Sequence, residues 1–198
     1  MRPNYAQDAP PTEITVGGHP YACDVDYRTW IEVMRLMREI NPDAETPDQL
    51  RRNVETMEQM QTLIFGGVLA DEDAGETLRA IIEFSRGYPS APKDAEADEG
   101  EAIISLEWDI NYIIIAIRNQ SGIDLSYRRR EPFHWWEFLL ELQTLCGEHY
   151  IINLMEARSY KGKDRDLLRR KRACALPVEY TAQQRAAMDA FNAQFEGG

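Results

Sequence analysis

Residues 131–142 read EPFHWWEFLLEL. Two tryptophans, Trp135 and Trp136, stand side by side, with Phe133 before them and Phe138 after. Neighbouring residues on a helix point about 100° apart, so one flat core cannot receive both rings. On a wheel running from Phe133 to Leu145, apolar side chains cover most of the circumference. Glu137, Glu141, His134 and Thr144 share the polar remainder, a sector of roughly 80°. Such a helix is wrapped on most sides: it is central in a bundle, or it faces another chain as well. Truncating either Trp to Ala at a fully buried site costs roughly 3–5 kcal/mol. The wheel predicts a helix from Pro132 to about Leu145, stopped by Gly147, with His134 half-exposed beside the two acids.

The same helical period recurs on both sides. Asp26 caps YRTWIEVMRLMREI, whose apolar stripe holds Trp30, Met34 and Met37 with Val33 and Ile40 beside them. Thr46 and Pro47 open a second helix with Met57, Met60, Leu63 and Ile64 on its inner side. A third covers about 74–86 and stops at Gly87. Ser105 caps LEWDINYIIIAIRNQ, with Glu107 and Asp109 in its first turn and Gly122 after its end. Three consecutive isoleucines favour a strand by propensity, but length, caps and terminal glycine favour a helix. Helices at about 149–158 and 164–174 follow, and Thr181 caps a last amphipathic one in which Met188, Phe191 and Phe195 align. Near the start, ITV and YAC flank Gly17-Gly18, the pattern of a short hairpin with a primed turn.

The expected fold is therefore mainly all-α, a bundle of about six to seven helices with a short N-terminal β-hairpin. Residues 1–12 are expected to be a flexible tail and 13–177 a single helical domain. Within it, YPSAPKDAEADEGE at 88–101, with two prolines and five acids, reads as a flexible acidic loop. Residues 178–198 form a C-terminal extension.

Composition narrows the function. Of 198 residues 43% are apolar and 28% charged, a soluble globular balance. The longest apolar run is far short of a membrane span, and the N-terminus lacks a signal-peptide core, so a cytoplasmic protein is expected. Three cysteines cannot all pair internally, in keeping with a reducing compartment. Net charge is −12, unevenly spread. Residues 1–127 hold 24 acids and 10 bases, whereas the remainder holds 10 acids and 12 bases. That balance opposes non-specific nucleic-acid binding and suits head-to-tail association or docking to a charged partner.

Motifs for chemistry are weak. His19, Cys23, Cys146 and His149 could in principle supply four zinc ligands, but neither half is a CxxC pair. Cys146 with His149 lacks any mark of an oxyanion hole. The glycine pairs lack a phosphate-loop context. No catalytic, cofactor or metal residue is assigned, and a non-enzymatic protein is expected; a small metal-dependent enzyme or regulator is a remote alternative. The basic run RSYKGKDRDLLRRKR at 158–172 has eight bases against two acids. With few aromatics near, it reads as a solvated or ion-pairing face rather than a nucleic-acid surface. Candidate partner contacts are Arg169, Arg170, Lys171 and Arg172, with Met188, Phe191 and Phe195 of the last helix.

DVDYRTWIEV, ISLEWDINYIIIAIRNQSGIDL and FHWWEFLLELQTL, in that order, resemble the phage gene-product-fifteen family of tailed bacteriophages. The matching positions are Asp26, Arg28, Trp30, Trp108, Gly122, Ile123, Asp124, His134, Trp135, Trp136 and Arg158, taken as scaffold. Ser121, where the family has an aromatic residue, departs from the pattern. The resemblance implies a phage or prophage protein of the tail module, regarded as tail-assembly-chaperone-like. Such a protein would bind the tape-measure protein or tail-tube subunits in the host bacterial cytoplasm; the charge polarity adds the expectation of a homo-oligomer. The alternative is a structural virion component of the tail or head–tail joint.

Overall fold

Asp26 supplies its carboxylate to the backbone N–H of Arg28 at 2.9 Å and thereby starts the first helix. This kind of local chemistry sets most element boundaries in the computed structural model, which describes residues 8–88, 102–177 and Gln184. The chain runs β1 (Glu13–Val16), β2 (His19–Ala22), α1 (Tyr27–Met37), α2 (Pro47–Phe65), α3 (Ala74–Ser85), α4 (Ile110–Ser121), α5 (Trp135–Gln143), α6 (Tyr150–Ser159) and α7 (Arg165–Ala173). The fold is mainly α with a short antiparallel hairpin, as the periodicity implies.

The hairpin pairs Glu13 with Ala22 and Val16 with His19. Its two-residue turn needs positive φ at both positions, and Gly17 and Gly18 supply it at 56° and 89°. A Cβ on Gly17 would also collide with Glu72. Thr46 caps α2 in a full capping box with Gln49, and Pro47 takes the first helical position. Gly66 and Gly122 close α2 and α4 in the left-handed conformation.

The described chain packs as two compact units. Within Pro11–Arg86, the hairpin lies on α3 and α1 packs with α2. Trp30, fully buried, stacks on Phe84 at 4.7 Å, and its indole N–H donates to the Asp24 carbonyl at 2.8 Å. Ile14 and Val16 bury one side of β1. The buried face of α1 is Tyr27, Trp30, Val33 and Leu36, so Met34 and Met37 lie at its margin rather than at its centre.

Within Gly87–Pro177, α4 packs on α5 and α6, and α6 on α7. Gln120 ties α4 to the end of α5: its amide donates to Thr144 O at 3.2 Å and accepts from Cys146 N at 3.0 Å. Ser121 donates to the Glu141 carboxylate nearby. Both tryptophans of α5 are buried. Trp135 stacks on Phe138 with centroids 5.6 Å apart, while Trp136 receives the edge of Tyr88 at 5.0 Å. One unit thus encloses both rings on different sides of the helix.

Two expectations are corrected here. The Trp-Trp helix starts at Trp135, not Pro132, and ends at Gln143. His134 is not a half-exposed residue of its polar sector. It is the buried N-cap, with extended backbone, and Nδ1 accepts the Trp136 N–H at 3.0 Å. An imidazole with an acceptor nitrogen does the work usually given to Ser, Thr or Asp. The expected tail (apart from residues 8–12), the acidic loop beyond Tyr88 and the last helix lie outside the described residues.

Candidate functional site

A buried polar cluster surrounds Arg158 on α6. Its side chain is 8% exposed and that of Asp109 is 3%. The guanidinium grips Asp109 with two bonds, Nη1 to Oδ2 at 2.6 Å and Nη2 to Oδ1 at 3.0 Å. Nη1 also donates to Ile103 O at 3.0 Å and Nε to Cys174 O at 2.7 Å. One fork therefore binds the segment before α4, the residue preceding α4 and the residue that ends α7. Planar bidentate pairing with extra carbonyl acceptors is the geometry that makes a buried arginine tolerable.

This grip changes how α4 begins. Ser105 was expected to cap the helix, with Asp109 as an acid of its first turn. Instead Ser105 caps a separate turn: its Oγ accepts from Glu107 N and Trp108 N, and its own N–H donates to Asp109 Oδ2 at 2.9 Å. The helix proper starts at Ile110, and Asp109 makes no side-chain cap because Arg158 holds its carboxylate.

Trp108 sits on that turn and faces solvent. It is 52% exposed, so it is no part of the core, in contrast to Trp30, Trp135 and Trp136. Tyr112 and Ile115 follow at helical spacing and are exposed as well. Tyr150, at the start of α6, meets Tyr112 edge-on at 4.8 Å and extends the exposed face. The isoleucine triplet is divided accordingly: Ile113 is fully buried, Ile114 intermediate and Ile115 exposed. The sequence reading missed Tyr112, Ile115 and Tyr150. The available signal was a helix with apolar residues on two stripes, of which only one can serve its own core.

The result is an aromatic platform whose backbone is pinned from beneath by a buried ion pair. Rigid, amphipathic, half-exposed Trp and Tyr side chains are what protein interfaces use as anchors. Nothing in this arrangement offers a nucleophile with a base, and among the described residues no group of three or more His, Cys, Asp or Glu could hold a metal ion. Burial pushes the Cys23 thiol up to about 12, so it is a poor nucleophile. Cys146 is exposed.

The remaining sequence-picked residues are dispersed. Asp26 and Arg28 form an ion pair at 2.6 Å at the start of α1, and the hydrogen bond to Asp26 holds the guanidinium pKa above its ordinary value. Asp124 accepts the Ser126 N–H at 3.0 Å, and that bond lowers its pKa. Gly122 terminates α4, and Ile123 is half-buried. Arg169, Arg170 and Arg172 are exposed on α7, a helix with no buried residue; Lys171 donates to Tyr160 O at 3.4 Å. Met188, Phe191 and Phe195 lie outside the described residues. Among the described residues no helix is long and apolar enough to cross a membrane.

A family model described as "Bacteriophage Gp15 protein" matches residues 7–180. No curated protein and no solved structure matches the chain.

Proposed function

The chain belongs to the bacteriophage Gp15 family, and from that premise we propose that it is a tail-module assembly protein that acts by binding other proteins, with no chemical step. It self-associates and shields apolar stripes of a long helical client, the tape-measure protein, in the host cytoplasm until tail-tube subunits replace it. The observation that supports this reading is the exposed face of Trp108, Tyr112, Ile115 and Tyr150 on a rigid support. Half-exposed aromatic side chains of this kind become a hot spot when an amphipathic helix lies against them.

The test is co-expression with the tape-measure protein of the same phage and capture of the complex. Trp108→Ala with Ile115→Ser is expected to weaken capture at least tenfold while shifting the melting temperature by no more than a few degrees, because both side chains are already half in water. Undiminished capture would remove the aromatic face from the proposal. Purified virions should lack the protein; stoichiometric presence there would favour a structural tail component instead.

A further inference from the structure

We propose that α7 carries an arginine row that takes the carboxylates of an acidic amphipathic helix of a second protein, while the adjoining platform of Trp108, Tyr112, Ile115 and Tyr150 takes that helix's apolar stripe. The inference rests on the helical client of the proposed function and names the client's charge.

On the helical wheel Arg165, Arg169 and Arg172 fall within about 60° of one another, and all three are exposed. The half-buried Leu168 and Lys171 lie to another side. Asp166, the acid of this helix, lies about 100° round from Arg165 and so off the row. Other helix arginines of the fold meet an acid three positions away: Arg35 meets Glu32, Arg51 meets Asp48 and Arg86 meets Glu83. Among the described residues no acid forms an ion pair with Arg165, Arg169 or Arg172. Like charges three and four apart repel. The helix dipole offsets this for bases of the last turn, but Arg165 stands in the first turn, where a cation is disfavoured. A nine-residue helix with no buried residue also gains little from packing. The row is nevertheless held at both ends. Asp164 accepts the N–H groups of Asp166 and Leu167 at 2.9 and 3.0 Å, and Arg158 clasps the Cys174 carbonyl at 2.7 Å. A fixed, self-repelling row without an internal counter-charge is complementary to carboxylates from outside.

The guanidinium that holds Cys174 also holds Asp109, the residue after Trp108. The end of α7 and the start of the platform therefore adjoin. The exposed acids Glu107, Glu148 and Glu156 lie on the α4 and α6 side. They repel carboxylates there and leave α7 as the side that accepts them. A spacing of four and three is one face of a helix, so acids equally spaced on a partner helix run opposite the arginines. A nucleic acid, charged along its whole length, is opposed by the chain's net charge of −12; a helix with one acidic row and one apolar stripe is opposed far less and uses both surfaces.

The test titrates the full chain into two fluorescent synthetic helical peptides by anisotropy. Both carry one leucine stripe; one has glutamates flanking it and the other has lysines at the same positions. The acidic peptide is expected to bind at least tenfold more tightly. Arg165→Glu with Arg169→Glu and Arg172→Glu should abolish that preference while leaving the melting temperature nearly unchanged. Trp108→Ala should weaken both peptides alike. Equal binding of the two peptides overturns the acidic client and leaves the platform standing; binding of neither overturns both. A Trp108→Ala variant that binds the acidic peptide as the parent does overturns the joint face. A twenty-residue oligothymidine that displaces the acidic peptide more effectively than the unlabelled peptide itself overturns a protein partner in favour of nucleic acid. If the arginine reversal loosens a self-association for which the acidic peptide does not compete, the row serves a second copy and the inference falls. An acidic preference found together with failed capture of the tape-measure protein would instead count against the proposed function alone.

Discussion

Arg158 is the residue on which most distant segments depend. Four hydrogen bonds from one guanidinium reach Ile103, Asp109 and Cys174. Removing one partner strands the other: Arg158→Met leaves the Asp109 carboxylate buried without its counter-charge. The expected cost is about 3–5 kcal/mol of unfolding free energy. Adding Asp109→Asn removes the stranded charge while keeping an acceptor for Ser105 N, so the double variant should regain half or more of that loss. Denaturant titration of both variants checks the pair. A single variant within about 1 kcal/mol of the parent would show that the cluster is not a stabilising clasp. The sequence marked Arg158 by motif resemblance, yet its partners were not legible. Asp109 is 49 positions away and looks, locally, like an ordinary acid of a first helical turn.

At the scale of the element, α5 shows both what local pattern conveys and where it fails. The Trp-Trp stretch announces a wrapped helix, and Trp135, Trp136 and Phe138 are all buried. Its start was misplaced because Pro132 satisfies the usual rule for a first position, while a histidine is rarely the cap. Only the extended backbone of His134, φ −62° and ψ 134°, and the Nδ1 bond to Trp136 reveal the boundary. His134→Ala should therefore cost about 1 kcal/mol, and His134→Asn should restore most of it, since a shorter side chain with an acceptor oxygen serves the same N–H. Thermal melts of the two variants decide this. Equal loss in both would mean that His134 acts through packing rather than capping. The same limit explains Trp108, which motif resemblance marked as scaffold: its helical spacing with Tyr112 and Ile115 went unread, and no local rule tells which of two apolar stripes faces the core.

For the whole molecule, the proposed self-association can rest on charge or on apolar contact, and the two respond differently to salt. The charge polarity is large: a net −14 over residues 1–127 against +2 beyond. The exposed bases of α7 lie in the second part. Contacts between such regions weaken as the Debye length falls from about 10 Å at 0.1 M to about 3 Å at 1 M salt. The platform of Trp108, Tyr112, Ile115 and Tyr150 is largely apolar, and burial of apolar surface does not weaken with added sodium chloride. Light scattering across that range therefore separates them. If polarity brings copies together, the oligomer should loosen severalfold between 0.1 and 1 M salt. Reversing Arg169, Arg170 and Arg172 to Glu should then produce the same loosening at low salt. An assembly whose mass is indifferent to both changes would assign cohesion to apolar contact. The acidic excess would then be left with the lesser task of keeping unassembled copies apart.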